Sequence, residues 1–558
     1  MQLLSFTVKI NYRVLILLQL IPLFFSCQPD MNKAADVISE EGFEKHVKEL
    51  GSDAYMGRKP FTEGEEKTLE YLEQEYKKLG LEPGNNGSFY QDVPMVQVTV
   101  DPSGTMDFTI AGSSFSLDYK NDWVASSRRI VKKTFLDDVE VVFAGYGIVA
   151  PEYDWNDYAG FDPAGKMVIV LVNDPGFGTE NKDFFNGNAM TYYGRWTYKY
   201  EEAARQGAAG LLIVHQTDQA GYPWSVVHNG AVVPKLYLEP DDGYKNRCSV
   251  EGWLTKQAAE KLFETAGKDL EKLMHEAKKP GFRAEHLNMT ASFDITSEFK
   301  YNKSKNIMGL IRGSERPDEV IIYTAHWDHL GIGAPVDGDS IYNGAVDNGT
   351  SLAWMMEIAK AFRQLKKPPR RTVIFLATTA EEQGLLGAKY YVENPLFPLN
   401  KTIADINNDL MLPMGRMKDV MVTGYGQNEL EDYVIRAAKR QDRYIFPDPN
   451  PETGMFYRAD HFAFARAGVP ALFVRGNCDH RENGKEYAAK IEKDYLMNHY
   501  HRPADEYDPE TWDFSGLVED AQLLFQVGYE LANDTLFPQW KEGSEFRTIR
   551  EGYMNKKD

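Results

Sequence analysis

The second half of the chain most limits what it can fold into. From Asn306 onward, apolar runs alternate with amphipathic stretches: "NIMGLIRG", "EVIIYTAH", "TSLAWMMEIAKAF", "RTVIFLATTAEE", "IADINNDLML", "VMVTGYG" and "PALFVRG" follow one another. Short runs of Val, Ile and Phe are strands buried on both faces, and stretches with apolar residues three and four apart are helices. Their alternation predicts an α/β sheet covered by helices on both faces.

These strands end in unusual chemistry. "IIYTAHWDHLGIG" passes from a core strand to His326, Asp328 and His329 with no turn residue between. Strand 372–378 is followed by Glu381 and Glu382, strand 402–406 by Asp409, and the loop before "TSLAWMMEIAKAF" carries Asp347. "NHYHRPADEYD" adds His499, His501 and Asp505. In open α/β sheets ligands sit beyond the carboxyl ends of the strands, so these groups are expected on one rim. Carboxylates and imidazoles gathered there repel or stay under-satisfied unless a cation neutralises them, and a divalent metal cluster is the simplest explanation. Singly, a His-x-Asp reads as an ion pair and a Glu-Glu as a solvated helix start; the set carries the inference.

Composition excludes one class of partner. With 62 basic against 83 acidic residues and a net charge of -21, the chain lacks the cationic surplus that nucleic-acid phosphates require. With 558 residues, 43% of them hydrophobic, two or three folded units are expected.

At the N-terminus, Lys9 and Arg13 precede twelve mostly apolar residues, Val14 to Phe25, too few for a membrane span and right for a signal peptide. The ending Phe24-Phe25-Ser26-Cys27 resembles a bacterial lipobox, with Phe24 where Leu is usual. It implies a lipid on Cys27 and a lipid-anchored protein of the bacterial cell envelope; Gln28 favours the outer membrane. Cys248 and Cys478 are left to pair or remain free. Residues 40–80 read as helical, with Leu69, Leu72, Tyr76 and Leu79 forming a docking stripe that Gly80 ends.

Six motifs in order, "TAHWDH", "YNGAVDNGTS", "TAEEQGLLGAKYY", "INNDLM", "YRADHFAFARAGVPALF" and "YHRPADEYD", resemble the zinc-dependent exopeptidases that include bacterial di-zinc aminopeptidases, glutamate carboxypeptidase and the transferrin receptor. The middle segment, with "GYG", "DPAGKMVIV" and "YKYEEAARQGAAGLLIV", is similar to the protease-associated domain inserted in several members. The resemblance implies a mixed α/β sheet plus an inserted β-rich domain, divided as signal peptide 1–27, linker 28–37, first peptidase segment 38–96, insertion 97–296, catalytic domain 297–540 and tail 541–558, with the last residues frayed.

Carried over residue by residue, the resemblance implies two Zn2+ per chain, His326 and Asp409 on one, Glu382 and His501 on the other, and Asp347 bridging. It makes Glu381 the general base of a hydroxide held between the metals, has Asp328 pin the His326 ring and Asp505 do the same near His501, and implies a cis peptide between Asp347 and Asn348. His329, His461, His480 and His499 are structural or near substrate, Asp405 ties down its own turn, and Arg458, Arg475 and Arg502 either line the cleft or pair with acids. Val346 and Ala459 depart from residues frequent in the family, the latter directly before Asp460.

The function implied is hydrolysis of peptide bonds at chain ends, with peptides as partners and aminopeptidase action foremost. A single-zinc glutaminyl cyclase-like acyltransferase, a carboxypeptidase for acidic C-termini using cleft arginines, and a non-catalytic receptor-like binding protein are the alternatives. Side-chain preference and oligomeric state are not legible in the sequence.

Overall fold

The structure is a computed structural model that describes residues 28–101, 105–231 and 233–555. The expected signal peptide and Cys27 lie outside the described residues. Among the described residues no helix is long and apolar enough to cross a membrane.

The second half of the chain is built on a sheet whose centre runs parallel. Strand Arg316–His326 lies between Arg371–Thr378 and Thr402–Asn407, parallel to both, and Ala471–Arg475 extends the parallel set. Antiparallel neighbours flank it: the end of Glu285–Ile311 beside Arg371–Thr378, and Asp419–Val422 beside Ala471–Arg475. Side chains alternate across each strand, so Ile321, Tyr323 and Ala325 enter one core while Val320 and Ile322 enter another. Helices Ser351–Arg363 and Ser515–Asn533 cover the first face; Leu386–Glu393 and His461–Arg466 cover the second. The mixed sheet with helices on both faces is as predicted.

The insertion is broader than the β-rich unit expected. Strands Lys133–Phe143, Met167–Leu171, Gly210–His215 and Val250–Thr255 pair in parallel in that order. Helices Trp196–Arg205 and Lys256–Thr265 pack on them, burying Tyr198, Ala203, Leu262 and Phe263. Neither expected boundary breaks the chain. Tyr90–Asp101 and Glu285–Ile311 pair antiparallel without interruption from Tyr90 opposite Ile307 to Asp101 opposite Thr296, a ribbon shared by both units.

Two terminal expectations are corrected. The linker 28–37 holds a helix, Gln28–Ala35, whose Met31, Ala34 and Ala35 are buried in the same core as Ile321 and Tyr323; the polar letters between them concealed an apolar stripe of small residues. The tail 541–558 holds a helix, Arg547–Met554, and Arg550 is buried because its guanidinium donates to the carbonyls of Leu399 and Thr402. Residues 40–80 split into Glu40–Leu50 and Glu63–Lys78, capped by Ser39 and Thr62, with a kinked turn between. In the second helix Leu69, Leu72 and Tyr76 are buried as expected. Cys248 and Cys478 are free thiols.

Candidate metal centre

The strand ends meet on one rim. His326 is the last residue of its strand and is buried. Its Nε2 lies 3.2 Å from Asp347 Oδ1, 3.5 Å from Asp409 Oδ1 and 4.0 Å from Glu381 Oε2. On the other side, His501 Nε2 lies 3.3 Å from Asp347 Oδ2 and 3.0 Å from Glu382 Oε2. The two oxygens of Asp347 therefore face two different imidazoles. The Asp347–Asn348 peptide is cis.

Burial works against charge here, and the neighbours decide which charges survive. The cost of burial on His326 is overcome by Glu381, Asp409 and Asp347, which hold its pKa well above the usual imidazole range. His501 is raised likewise by Glu382 and Asp347. Burial would raise Asp347, but His326 and His501 hold it well below the ordinary range; Glu382, against the same cost, is brought to about 2 by His501 and His329. Glu381 moves the other way: burial raises it well above normal, relieved in part by His326 and reinforced by Asp409 and Glu382. Burial lifts Asp328 to about 7.

Atoms in this space lack hydrogen-bond partners although buried: His326 Nε2, Asp409 Oδ1 and His501 Nε2. Orphaned polar atoms converging on a few ångströms are costly unless something binds them. His326, Asp347 and Asp409 offer ligand atoms all within 4.8 Å of one another, as do His329, Asp347 and Glu382. Imidazole nitrogens mixed with carboxylate oxygens are a donor set that suits zinc, so the residues present fit the cation that the motifs imply.

Surrounding groups hold these side chains in place, in part differently from expectation. His326 Nδ1 is bonded to the backbone carbonyl of Asp328 at 2.9 Å, whereas the Asp328 carboxylate accepts the backbone N–H of Glu381 at 3.0 Å. Asp328 thus positions both. Among the described residues Asp505 makes no hydrogen bond to the His501 ring; its carboxylate accepts the N–H groups of Val346 and Asp347 and fixes the loop of the carboxylate that faces His501. Asp405 sits within strand Thr402–Asn407 rather than in a turn, accepting from Thr324 of the neighbouring strand. Arg475 is committed to the Asp409 carbonyl at 2.8 Å. Asp460, beside Ala459, accepts from the Thr378 hydroxyl.

His329, expected to be structural or near substrate, holds a carboxylate of the site, and Arg58 is a residue that sequence reasoning missed. His329 is buried, and its Nδ1 lies 2.7 Å from Glu382 Oε1, leaving Oε2 turned to His501. Arg58 is buried and donates to the carbonyls of Trp327, Leu50, Asn343, Gly344 and Asp347, tying the first segment to both loops of the site. Nothing in "MGRKP" announces this. Arg58→Met should strand those carbonyls and lower stability by about 3 kcal/mol or more; urea unfolding that shows less than about 1 kcal/mol would refute the role.

Strand-end imidazoles and carboxylates around one shared aspartate form a candidate metal-binding site. Residues 306–526 match the model of peptidase family M28, and every side chain from His326 to His501 lies inside that match; the resemblance to zinc-dependent exopeptidases holds for this segment. A probable glutamate carboxypeptidase of Arthroderma benhamiae is 29% identical over 262 residues, 43% of this chain and 32% of that protein. Aminopeptidase NAALADL1 of Mus musculus is 34% identical over 144 residues, 24% of this chain and 17% of that protein. The chain thus spans a third or less of the length of these relatives. Among solved structures, an aminopeptidase from Aneurinibacillus sp. strain AM-1 aligns over 91% of this chain and 97% of its own at 19% identity, with a TM-score of 0.49.

Proposed function

We propose that the chain is a zinc-dependent exopeptidase that removes N-terminal residues from peptides. One observation carries the two-zinc reading: Asp347 turns Oδ1 to His326 and Oδ2 to His501, at 3.2 and 3.3 Å. His326 and Asp409 would hold one zinc, Glu382 and His501 the other, and Asp347 both. His329 occupies Oε1 of Glu382, which leaves Oε2 as the ligand atom. Two zinc ions held there would supply Lewis acidity toward the scissile carbonyl and make water acidic enough to be a nucleophile at neutral pH.

The chain's own residues do the rest. Glu381 reaches into the same space without belonging to either ligand set, and burial raises its proton affinity, as suits a group that takes a proton from water and returns it to the leaving amine. Asp328 holds the Glu381 backbone in register with His326. The insertion, read as a protease-associated domain, forms a fixed wall: Met190 and Tyr192 pack with Phe456, Tyr457 and Phe462, and Arg466 pairs with Glu201 at 2.7 Å.

One observation favours the carboxypeptidase alternative. Arg195 of the insertion and Arg458 lie close enough for their charges to oppose, and neither has a carboxylate partner among the described residues. A substrate carboxylate would relieve both. A panel of aminoacyl, N-terminal Gln, N-blocked and acidic C-terminal peptides, assayed with and without chelator, separates the readings. Cleavage of free-amine peptides that chelator abolishes and zinc restores is expected. Cleavage of N-blocked acidic C-termini alone would transfer the proposal to a carboxypeptidase, ammonia release from N-terminal Gln to a cyclase, and inertness toward all to a binding protein.

The envelope anchor is a further part of the proposal, supported by the residues before Cys27. Cys27→Ser should release the protein from membranes in fractionation or block its maturation; unchanged partition at unchanged size would refute it.

A further inference from the structure

In a chain of net charge -21, one cleft is lined mainly by cations, none of them a residue of the metal centre. The cleft has a volume of about 590 Å³, and Arg129, Arg205, Lys245, Arg247 and Arg466 line it with Glu201 as the single acid among the lining residues. Two of the cations are satisfied: Arg205 pairs with Glu202 and Arg466 with Glu201. The other three have no carboxylate within ion-pair distance among the described residues. Arg129 spends its Nε on the Arg247 carbonyl at 2.7 Å, which leaves the outer nitrogens of its fork free; Arg247 lies over the Tyr244 ring; Lys245 is exposed.

Nearby buried groups sense the same field. Glu201 stays below the usual carboxyl range although burial opposes it, because Arg466 faces it, the Tyr192 hydroxyl donates to it, and Arg247 and Arg128 add to the effect. Lys389, itself without an ion-pair partner, is pushed down to about 8 by burial and then by Arg128 and Arg466. Glu201, Glu202, Glu251 and Glu393 offset part of this charge, but none lies within ion-pair distance of Arg129, Lys245 or Arg247 among the described residues; forked guanidiniums match tetrahedral oxyanions in particular.

We propose that this cleft, shared by the insertion and helix His461–Arg466, is a binding site for a small molecule bearing two or more phosphate or sulfate groups. Arg129, Lys245 and Arg247 supply the free donors, while Arg466, held by Glu201, forms one wall of the cleft. The volume falls in the range of small-molecule sites. The site stands independently of the exopeptidase reading, since none of these residues belongs to the metal centre.

Calorimetry on the zinc-loaded full chain tests it with two probes, sucrose octasulfate for a sulfated saccharide and glucose 1,6-bisphosphate for a phosphorylated one. Each is titrated with the metal centre blocked by a peptide hydroxamate. Saturable binding that weakens with salt is expected for at least one probe, and the tighter one identifies the source of the anion. The double variant Lys245→Ala, Arg247→Ala, at an exposed and a half-buried position, should weaken that binding by about tenfold or more, as expected for loss of charge-assisted hydrogen bonds. Its peptidase kcat/KM and melting temperature should match the parent's. No binding of either probe at millimolar concentration, or equal binding by parent and double variant, would overturn the proposal.

Discussion

Glu381→Gln should lower turnover by about 10² to 10⁴ while leaving bound zinc near the parental level. Gln keeps the size and a hydrogen-bonding oxygen of Glu but cannot accept a proton. Glu381 Oε2 stands 4.0 Å from His326 Nε2, further off than the oxygens of Asp347 and Asp409, so its loss removes no ligand. Its neighbour should fail differently. Glu382 Oε2 lies 3.0 Å from His501 Nε2, and Glu382→Gln should lower zinc occupancy, a loss that added zinc restores in part. Elemental analysis of both variants beside steady-state kinetics on an aminoacyl substrate distinguishes them. Zinc loss in Glu381→Gln with full retention in Glu382→Gln would invert the assignment, and near-normal turnover in Glu381→Gln would remove the general-base role.

Asp347→Ala should abolish binding at both positions at once and bring activity down to that of chelator-treated protein. Among the described residues no other carboxylate presents separate oxygens to His326 and His501, and once it is gone the remaining acids repel without a shared centre. Asp505 provides a graded comparison. Asp505→Asn leaves all ligands in place but weakens the anchoring of the Val346 and Asp347 N–H groups, so zinc affinity should fall by about 10- to 100-fold rather than vanish. Zinc titration of the two apo variants against a metallochromic indicator reads both. Retention of one tightly held zinc in Asp347→Ala would show that the carboxylate serves a single position.

Much of this site could be read from the sequence because strand ends are both local and positional. His326, Glu381, Glu382 and Asp409 each follow an apolar run by a few residues, and a parallel sheet brings such ends to one rim whatever the loops do. What was not legible depends on contacts between distant segments. Asp505 meets Asp347 across 158 residues, and Arg58 meets the Asp347 carbonyl across 289. Neither residue type nor spacing indicates such a partner.

The terminal helices were hidden for another reason. In Gln28–Ala35 the buried positions are Met31, Ala34 and Ala35, so little apolar volume marks the stripe, and in Arg547–Met554 the buried residue is an arginine, whose usual place is the surface. The insertion's helices and parallel strands lay within a segment whose Gly, Pro and Asp turns suggested short strands alone.

The measurement that bears most directly on the two-zinc site is metal stoichiometry by elemental analysis of the purified chain, followed during stepwise chelation alongside aminopeptidase activity. Two equivalents of zinc per chain are expected, with activity falling as they are removed and returning when zinc is restored. A single equivalent at full activity, or activity that survives complete removal, would contradict the proposed site.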